Sequence, residues 1–147
     1  MPAKVRPLQP GDVEAVLAIE RDNTGNEARR LFLKETAEWH LKGQGKDLVA
    51  LVAEDQGRVV GFVLGRVSGP EFGSHENLGW VSVVGVDKGQ RGKGTGTLLG
   101  QGLFAEFKKR GVKRVRTMVD ATDEALLNYF RSLGMLESRI DVMERLV

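Results

Sequence analysis

The fold is decided by the stretch LGWVSVVGVDKGQRGKGTG, residues 78–96. Its first half is rich in valine and is predicted to be a strand, in which Gly85 indicates a bulge or the close approach of another group. Residues 97–110 have the apolar spacing of a helix. The glycine-rich turn between them brings backbone amides and a helix N-terminus to one point, where an anion is stabilised.

Two common phosphate-binding motifs are excluded by spacing. A Walker loop needs Ser or Thr directly after Gly92 and Lys93, where this chain has Gly94. A dinucleotide fingerprint needs a third glycine three residues after the second. When the motif starts at Gly92 that position is Thr97, and when it starts at Gly94 that position is Leu99. The turn is therefore predicted to bind an anion in another way.

The segments before this stretch alternate between helical and strand patterns. A short strand over residues 4–8 precedes a helix with Val13, Val16, Leu17 and Glu20 at helical spacing, and a second helix is predicted over residues 27–41. Leu31, Phe32 and Trp39 are its predicted apolar stripe. Two β-rich runs, 48–54 and 58–67, flank a short turn and predict a hairpin.

After the glycine turn and its helix, the pattern predicts a strand over residues 112–119, a helix over 122–133 and a last strand over 140–146. The order is β-α-α-β-β-β-α-β-α-β. It indicates one α/β domain over residues 1–147, with a mixed sheet of about six or seven strands flanked by about four helices.

The amino-acid composition excludes several classes of chemistry. The 147 residues include no cysteine and two histidines, which excludes disulfides and thiolate chemistry and makes a metal site unexpected. The first residues lack a signal-peptide pattern and a membrane span, so a soluble, cytoplasmic protein is expected.

Charge is unevenly distributed along the chain. Residues 88–116 carry nine basic side chains and one acidic one, a local net charge of +8, which leaves −6 for the remainder. The negative remainder weakly favours a cationic acceptor. A nucleic-acid surface is the last-ranked interpretation, because Phe104 and Phe107 are spaced to face a core and no exposed aromatic residues are interleaved. Binding to nucleic acid or membrane is not expected.

The turn resembles the acyl-CoA motif of the GNAT superfamily of N-acetyltransferases at Val86, Arg91, Gly94 and Gly96. Lys88 stands where the family usually has proline. The resemblance extends over nearly the whole chain and implies acetyl-CoA as co-substrate, without a metal. By resemblance, the cofactor-binding residues are Val84, Gly85, Val86, Gln90, Arg91, Gly92, Lys93, Gly94, Thr95, Gly96, Thr97, Asp123 and Phe130.

The second cofactor segment of the family is similar to residues 123–135, which close on Leu133-Gly134-Met135. Family members commonly have, four residues before that glycine, a tyrosine that protonates the departing thiolate. Here that position is Phe130, and the tyrosine is its neighbour Tyr129, about 100° away around a helix. Three outcomes stay open: Tyr129 reaches the sulfur, the thiolate leaves without an acid, or acyl-CoA is bound without turnover.

The resemblance also implies a base that deprotonates the amine. Glu71, His75 and Glu76 lie where the family often keeps it, and Glu76 is the first choice. The implied activity is acetyl transfer to a primary amine on a protein N-terminus, a lysine or a small molecule. The alternative is a non-catalytic acyl-CoA sensor, and a homodimer is expected by resemblance only.

Overall fold

The computed structural model of the chain describes residues 3–71 and 75–147. Its sheet has the strand order β1-β2-β3-β4-β5, antiparallel except for the parallel pair β4 and β5. The strands are β1 (Lys4–Pro7), β2 (Leu48–Asp55), β3 (Arg58–Ser68), β4 (Leu78–Val86) and β5 (Arg114–Arg116). The helices are α1 (Val13–Thr24), α2 (Glu27–Leu41), α3 (Thr95–Lys109) and α4 (Glu124–Ser132).

The predicted mixed α/β fold with four helices is confirmed, but the predicted last strand is wrong. Residues 140–146 form no regular structure. Val142 and Leu146, which would have formed the apolar face, are exposed, so the alternation there covers no core. The predicted strand over 112–119 is also shorter, since only Arg114–Arg116 pairs with β4.

Two apolar clusters cover the sheet. One includes Leu99, Leu103 and Phe107 of α3, and the other includes Val16 of α1 and Leu33 of α2. The apolar stripe predicted for α2 is wrong, because Leu33 and Ala37 are buried while Leu31, Phe32 and Trp39 are about half exposed. The buried pair is four residues apart, which is the spacing of one helix face.

A partly buried ion cluster fixes the entry to α1. Asp12 accepts two hydrogen bonds from the Arg6 guanidinium, at 2.8 and 3.0 Å, and a third from the backbone of Gln9 at 2.7 Å. Arg6 also donates to Glu54 on β2. The Arg6 hydrogen bonds hold the pKa of Asp12 below its usual value, so this carboxylate stays ionised and joins β1, β2 and α1.

Strand β4 is irregular where it pairs with β3, and it loses its neighbour on the other edge part-way along. Val83 pairs with Leu64 and Val81 pairs with Gly65, so Ser82 is an extra residue, a β-bulge. On the other edge, β4 pairs with β5 at Leu78, Gly79 and Trp80, and Trp80 is the last paired residue. Beyond Trp80 the β5-facing backbone of β4 has no strand partner in the described chain. Within the same residues, no helix is long and apolar enough to cross a membrane.

Candidate functional site

The glycine turn opens directly into the N-terminus of α3. Gly92 and Gly94 have φ angles of 80° and 82°, a conformation that glycine adopts without steric cost. The first helical bond runs from the Leu98 amide to the Gly94 carbonyl at 3.0 Å. Among the described side chains none caps this helix, so the amides of its first turn have no intrahelical acceptor. These amides, at the positive end of the helix dipole, are suited to an anionic group.

Side chains below the turn hold its shape. The Asp87 side chain accepts a hydrogen bond from the backbone amide of Gly89 at 3.1 Å. It also forms an ion pair with Arg58 at 3.0 Å. The Gln90 amide donates to the Asp87 carbonyl at 2.8 Å, and the Gln90 side chain is buried. Gln90, predicted to contact the cofactor, is therefore placed to support the turn from inside.

The turn is also tied to the end of α1. Arg91 donates to the Asn23 side-chain oxygen at 3.0 Å, and the Asn23 amide donates to the Val86 carbonyl at 3.1 Å. Arg91 and Lys93 are exposed beside the α3 N-terminus. Sequence reasoning missed Asn23, because a polar residue near a helix end gives no signal of the loop it will contact.

A cavity of about 60 Å³ lies beside the unpaired edge of β4. Thr117 crosses the gap after β5 and donates to the Val81 carbonyl at 3.0 Å. Beyond Val81 no residue of β5 pairs with β4, which leaves this edge of the strand open to an extended ligand. The cavity is lined by Arg29, Val81, Ser82, Val83, Val84, Thr117, Met118, Leu126 and Phe130.

Gly85 is explained by close approach. A Cβ at this position would lie 2.6 Å from the ring of Phe62, which is fully buried on β3. The expectation that Gly85 occupies the bulge is corrected, because the extra residue is Ser82, three positions earlier. Gly85 instead lets the Phe62 ring pack closely against β4.

Tyr129 and Phe130 are adjacent but face different neighbours. The Tyr129 hydroxyl donates to the Gly96 carbonyl at 2.8 Å, and burial raises the pKa of its phenol to about 12. Phe130 is buried and lines the cavity, in a T-shaped contact with the Tyr129 ring at 5.0 Å. Phe130 therefore takes the cavity-facing position, and Tyr129 joins α4 to the first turn of α3.

The remaining predicted residues lie apart from the cavity. The Asp123 side chain accepts from the Leu126 amide at 3.1 Å and so caps α4. Glu76 pairs with Lys113 at 3.6 Å, about half exposed, at the end of β4 opposite the glycine turn. Glu71 and His75 lie on either side of residues 72–74, which are outside the described residues.

A second, larger depression does not belong to this site. It has a volume of about 520 Å³ and lies between α1 and α2, lined by residues such as Glu14, Arg21 and Arg30. No β4 residue lines it, so it offers no contact with the turn. Among residues 3–71 and 75–147, no group of three His, Asp or Glu side chains is placed to hold a metal ion.

The sequence was compared with known families and curated proteins. The model of the Acetyltransferase (GNAT) family matches residues 13–135. The chain belongs to the GNAT acetyltransferase family. It is 36% identical to mycothiol acetyltransferase of Thermobispora bispora over 94 residues, 64% of this chain and 32% of that protein. The mycothiol acetyltransferase of Kocuria rhizophila is also 36% identical, over 67% of this chain and 32% of its own. The chain thus spans about a third of the length of these curated relatives.

Two solved structures of acetyltransferases share the fold of this GNAT family member. An aminoglycoside N-acetyltransferase in complex with CoA superposes with a TM-score of 0.84 at 13% identity, covering 97% of this chain and 93% of the other. A ribosomal-protein-alanine N-acetyltransferase from Brucella melitensis gives 0.75 at 17% identity, covering 99% of both chains. These identities support the fold alone.

Proposed function

We propose that this chain transfers an acetyl group from acetyl-CoA to a primary amine, with both substrates bound at once. The observation that carries the proposal is the glycine turn with the uncapped N-terminus of α3 at the end of β4, adjoining an unpaired strand edge and a cavity. The turn offers hydrogen-bond donors to a pyrophosphate, and the unpaired strand edge offers donors and acceptors to an extended amide chain. The name of the solved CoA complex with the same fold agrees with this cofactor.

The proposed contacts follow the order of the turn. The pyrophosphate would lie on the amides of residues 92–97, with Arg91 and Lys93 adding positive charge at its rim. The pantetheine arm would follow Val84, Gly85 and Val86, and the thioester would face Phe130. Backbone amides of the unpaired β4 edge would stabilise the negative charge that develops on the thioester oxygen.

The chemical step needs a neutral amine and a leaving thiolate. The amine nitrogen forms a bond to the acetyl carbon, the carbon–sulfur bond breaks, and the amine loses a proton to a base or to water. Glu76 stays the predicted base, although it would act only through water or a movement of its loop. Tyr129 stays a candidate acid, on the condition that its hydroxyl leaves the Gly96 carbonyl. A cysteine thiol has a pKa of about 8.5, and a thiol leaving group of this kind tolerates departure as the free thiolate.

A non-catalytic acyl-CoA sensor is the second candidate, and one observation favours it. The described residues that line the cavity include no carboxylate and no tyrosine. A sensor would bind acetyl-CoA and release no thiol with any amine. The acceptor class itself, whether protein N-terminus, lysine or small molecule, is left to the substrate panel.

Replacing Arg91 with alanine is expected to weaken acetyl-CoA binding about tenfold, because a charge-assisted contact and the link to Asn23 are both lost. Calorimetry measures the affinity, and thiol release with a panel of amines measures turnover. Arg21→Ala is the matched control, since Arg21 is an exposed arginine of α1 whose ion pair among the described residues is with its neighbour Asp22. Equal effects of the two variants would reduce Arg91 to long-range charge, and no binding by the unmodified protein would end the proposal.

We also propose a homodimer and a cytoplasmic location. The dimer is supported by exposed apolar side chains near residues 142–147, among them Val142, Met143 and Leu146. Sedimentation velocity is expected to show a dimer that Val142→Lys weakens. A monomer at every concentration would contradict it. The location rests only on the absence of cysteine.

A further inference from the structure

The cavity beside β4 has a single ionisable group among the described residues that line it. Arg29 is the only ionisable side chain among the described residues that line it, together with the hydroxyl-bearing Ser82 and Thr117. Arg29 lies in the first turn of α2 and lines the same cavity as Leu126 and Phe130 of α4. Its side chain therefore adjoins the cavity in which the thioester is proposed to lie beside Phe130.

The Arg29 guanidinium is held from behind. Its Nε donates to the Glu20 carboxylate at 2.5 Å, and Glu20 is only 1% exposed, on α1. Thr24 adds a contact to the same carboxylate oxygen at 3.5 Å. A cation in the first turn of a helix is disfavoured by the helix dipole, and the buried carboxylate offsets this cost. The arrangement fixes one edge of a planar group.

The other edge of the guanidinium is open. In the described part of the chain, Nη1 and Nη2 of Arg29 have no hydrogen-bond acceptor, and the side chain is 44% exposed. A guanidinium offers two parallel donors that match a carboxylate or phosphate, which a lysine cannot reproduce. An arginine with this geometry, beside a cavity without acidic lining, is suited to an anion carried by the acceptor.

We propose that Arg29 selects acceptors that carry an anionic group close to the reacting amine, with amino acids as the simplest class. This inference rests on the proposed acetyl transfer. It departs from the weak preference for cationic acceptors that net charge indicates, because distant surface charges are screened over about 10 Å whereas Arg29 contacts the cavity directly. Glu20 acts as a positioning residue that aims the guanidinium.

The test compares matched acceptors that differ only in charge. Thiol release from saturating acetyl-CoA is followed with the eighteen L-amino acids other than cysteine and proline, and with their carboxamides. A carboxamide has a less basic amine and is more often neutral, so amine ionisation alone favours the amide. We expect the unmodified protein to favour the best free acid by at least about tenfold in kcat/KM.

Variants then assign the preference to Arg29. Arg29→Gln is expected to bring the acid-to-amide ratio within about threefold by raising KM for acids, with KM for amides unchanged. Arg30→Gln is the matched control, because Arg30 pairs with Glu27 and lines the other depression. If Arg29→Gln fails to fold with Glu20 unpaired, the double variant Glu20→Gln/Arg29→Gln removes both charges and is expected to show the same lost preference.

The outcomes separate the two proposals. Thiol release that prefers amides or polyamines, or an Arg29→Gln variant that lowers acids and amides equally, overturns the role of Arg29 while acetyl transfer stands. No release with any amine overturns the transferase proposal, and the inference with it.

Discussion

Replacing Gly85 with alanine is expected to lower the free energy of unfolding by about 2 kcal/mol, within the usual range for overpacking a core. The new Cβ would lie 2.6 Å from Cε1 and 2.8 Å from Cζ of the Phe62 ring. That ring is fully buried between the sheet and α1, so neither side can move freely. Chemical denaturation followed by the fluorescence of the two tryptophans measures the change.

Gly89→Ala is the matched control for Gly85→Ala. Gly89 lies four residues further along, and the nearest atom to its added Cβ is an Asp87 carboxylate oxygen at 3.8 Å. Because this is ordinary contact, we expect a change of less than about 0.5 kcal/mol. The pair separates the clash at Gly85 from the general effect of losing a glycine in this part of the chain.

A double-mutant cycle assigns the cost to Phe62. In a Phe62→Leu background the ring is gone, so Gly85→Ala should cost at least about 1 kcal/mol less than in the unmodified protein. An equal cost in both backgrounds would contradict the packing explanation. It would instead point to the backbone of β4 at Gly85.

Local patterns predicted the elements that bury a face or terminate at glycine. The hairpin, the strand before the turn and the helix after it all have strong periodicity and clear breakers, and their observed bounds differ from the predicted ones by at most two residues. The last strand failed because alternation needs a neighbouring strand to pair with. In the described chain residues 140–146 have none.

The site was only partly readable for a related reason. The turn is contiguous in sequence, so its spacing carried the whole signal. The bulge at Ser82 depends on the register of two strands, and Asn23 and Arg29 act through contacts between elements. The sequence did give a signal for Glu20, because this carboxylate lies among the helically spaced apolar residues of the first helix. A carboxylate buried at such a position needs a partner.

The roles of Tyr129 and Phe130 can be separated because Tyr129 is the only tyrosine in the chain. Ultraviolet titration of phenol ionisation therefore reports this one group, and we expect its pKa near 12 instead of about 10. Burial raises the pKa because the phenolate would lose its hydration. A value near 10 would show that the hydroxyl is accessible and not held against the Gly96 carbonyl.

The same shift makes stability depend on pH. The folded pKa lies above the unfolded one, so the contribution is fully present below about pH 10 and is lost as the pH rises toward 12. Over this range the unfolded chain ionises first, and the free energy of unfolding should fall by about 2 kcal/mol. Tyr129→Phe should lack this component of the pH dependence.

Kinetics of Tyr129→Phe then decide between anchor and acid. As an anchor, the hydroxyl contributes about 1 kcal/mol through its bond to Gly96, and its loss should change kcat less than about threefold. As an acid, its loss should lower kcat about a hundredfold with acetyl-CoA affinity unchanged. We expect the small effect of an anchor, because the Tyr129 hydroxyl donates a hydrogen bond to the Gly96 carbonyl of α3 while Phe130 lines the cavity. Phe130→Tyr is the complementary variant, since it alone places a phenol where the thiolate would leave.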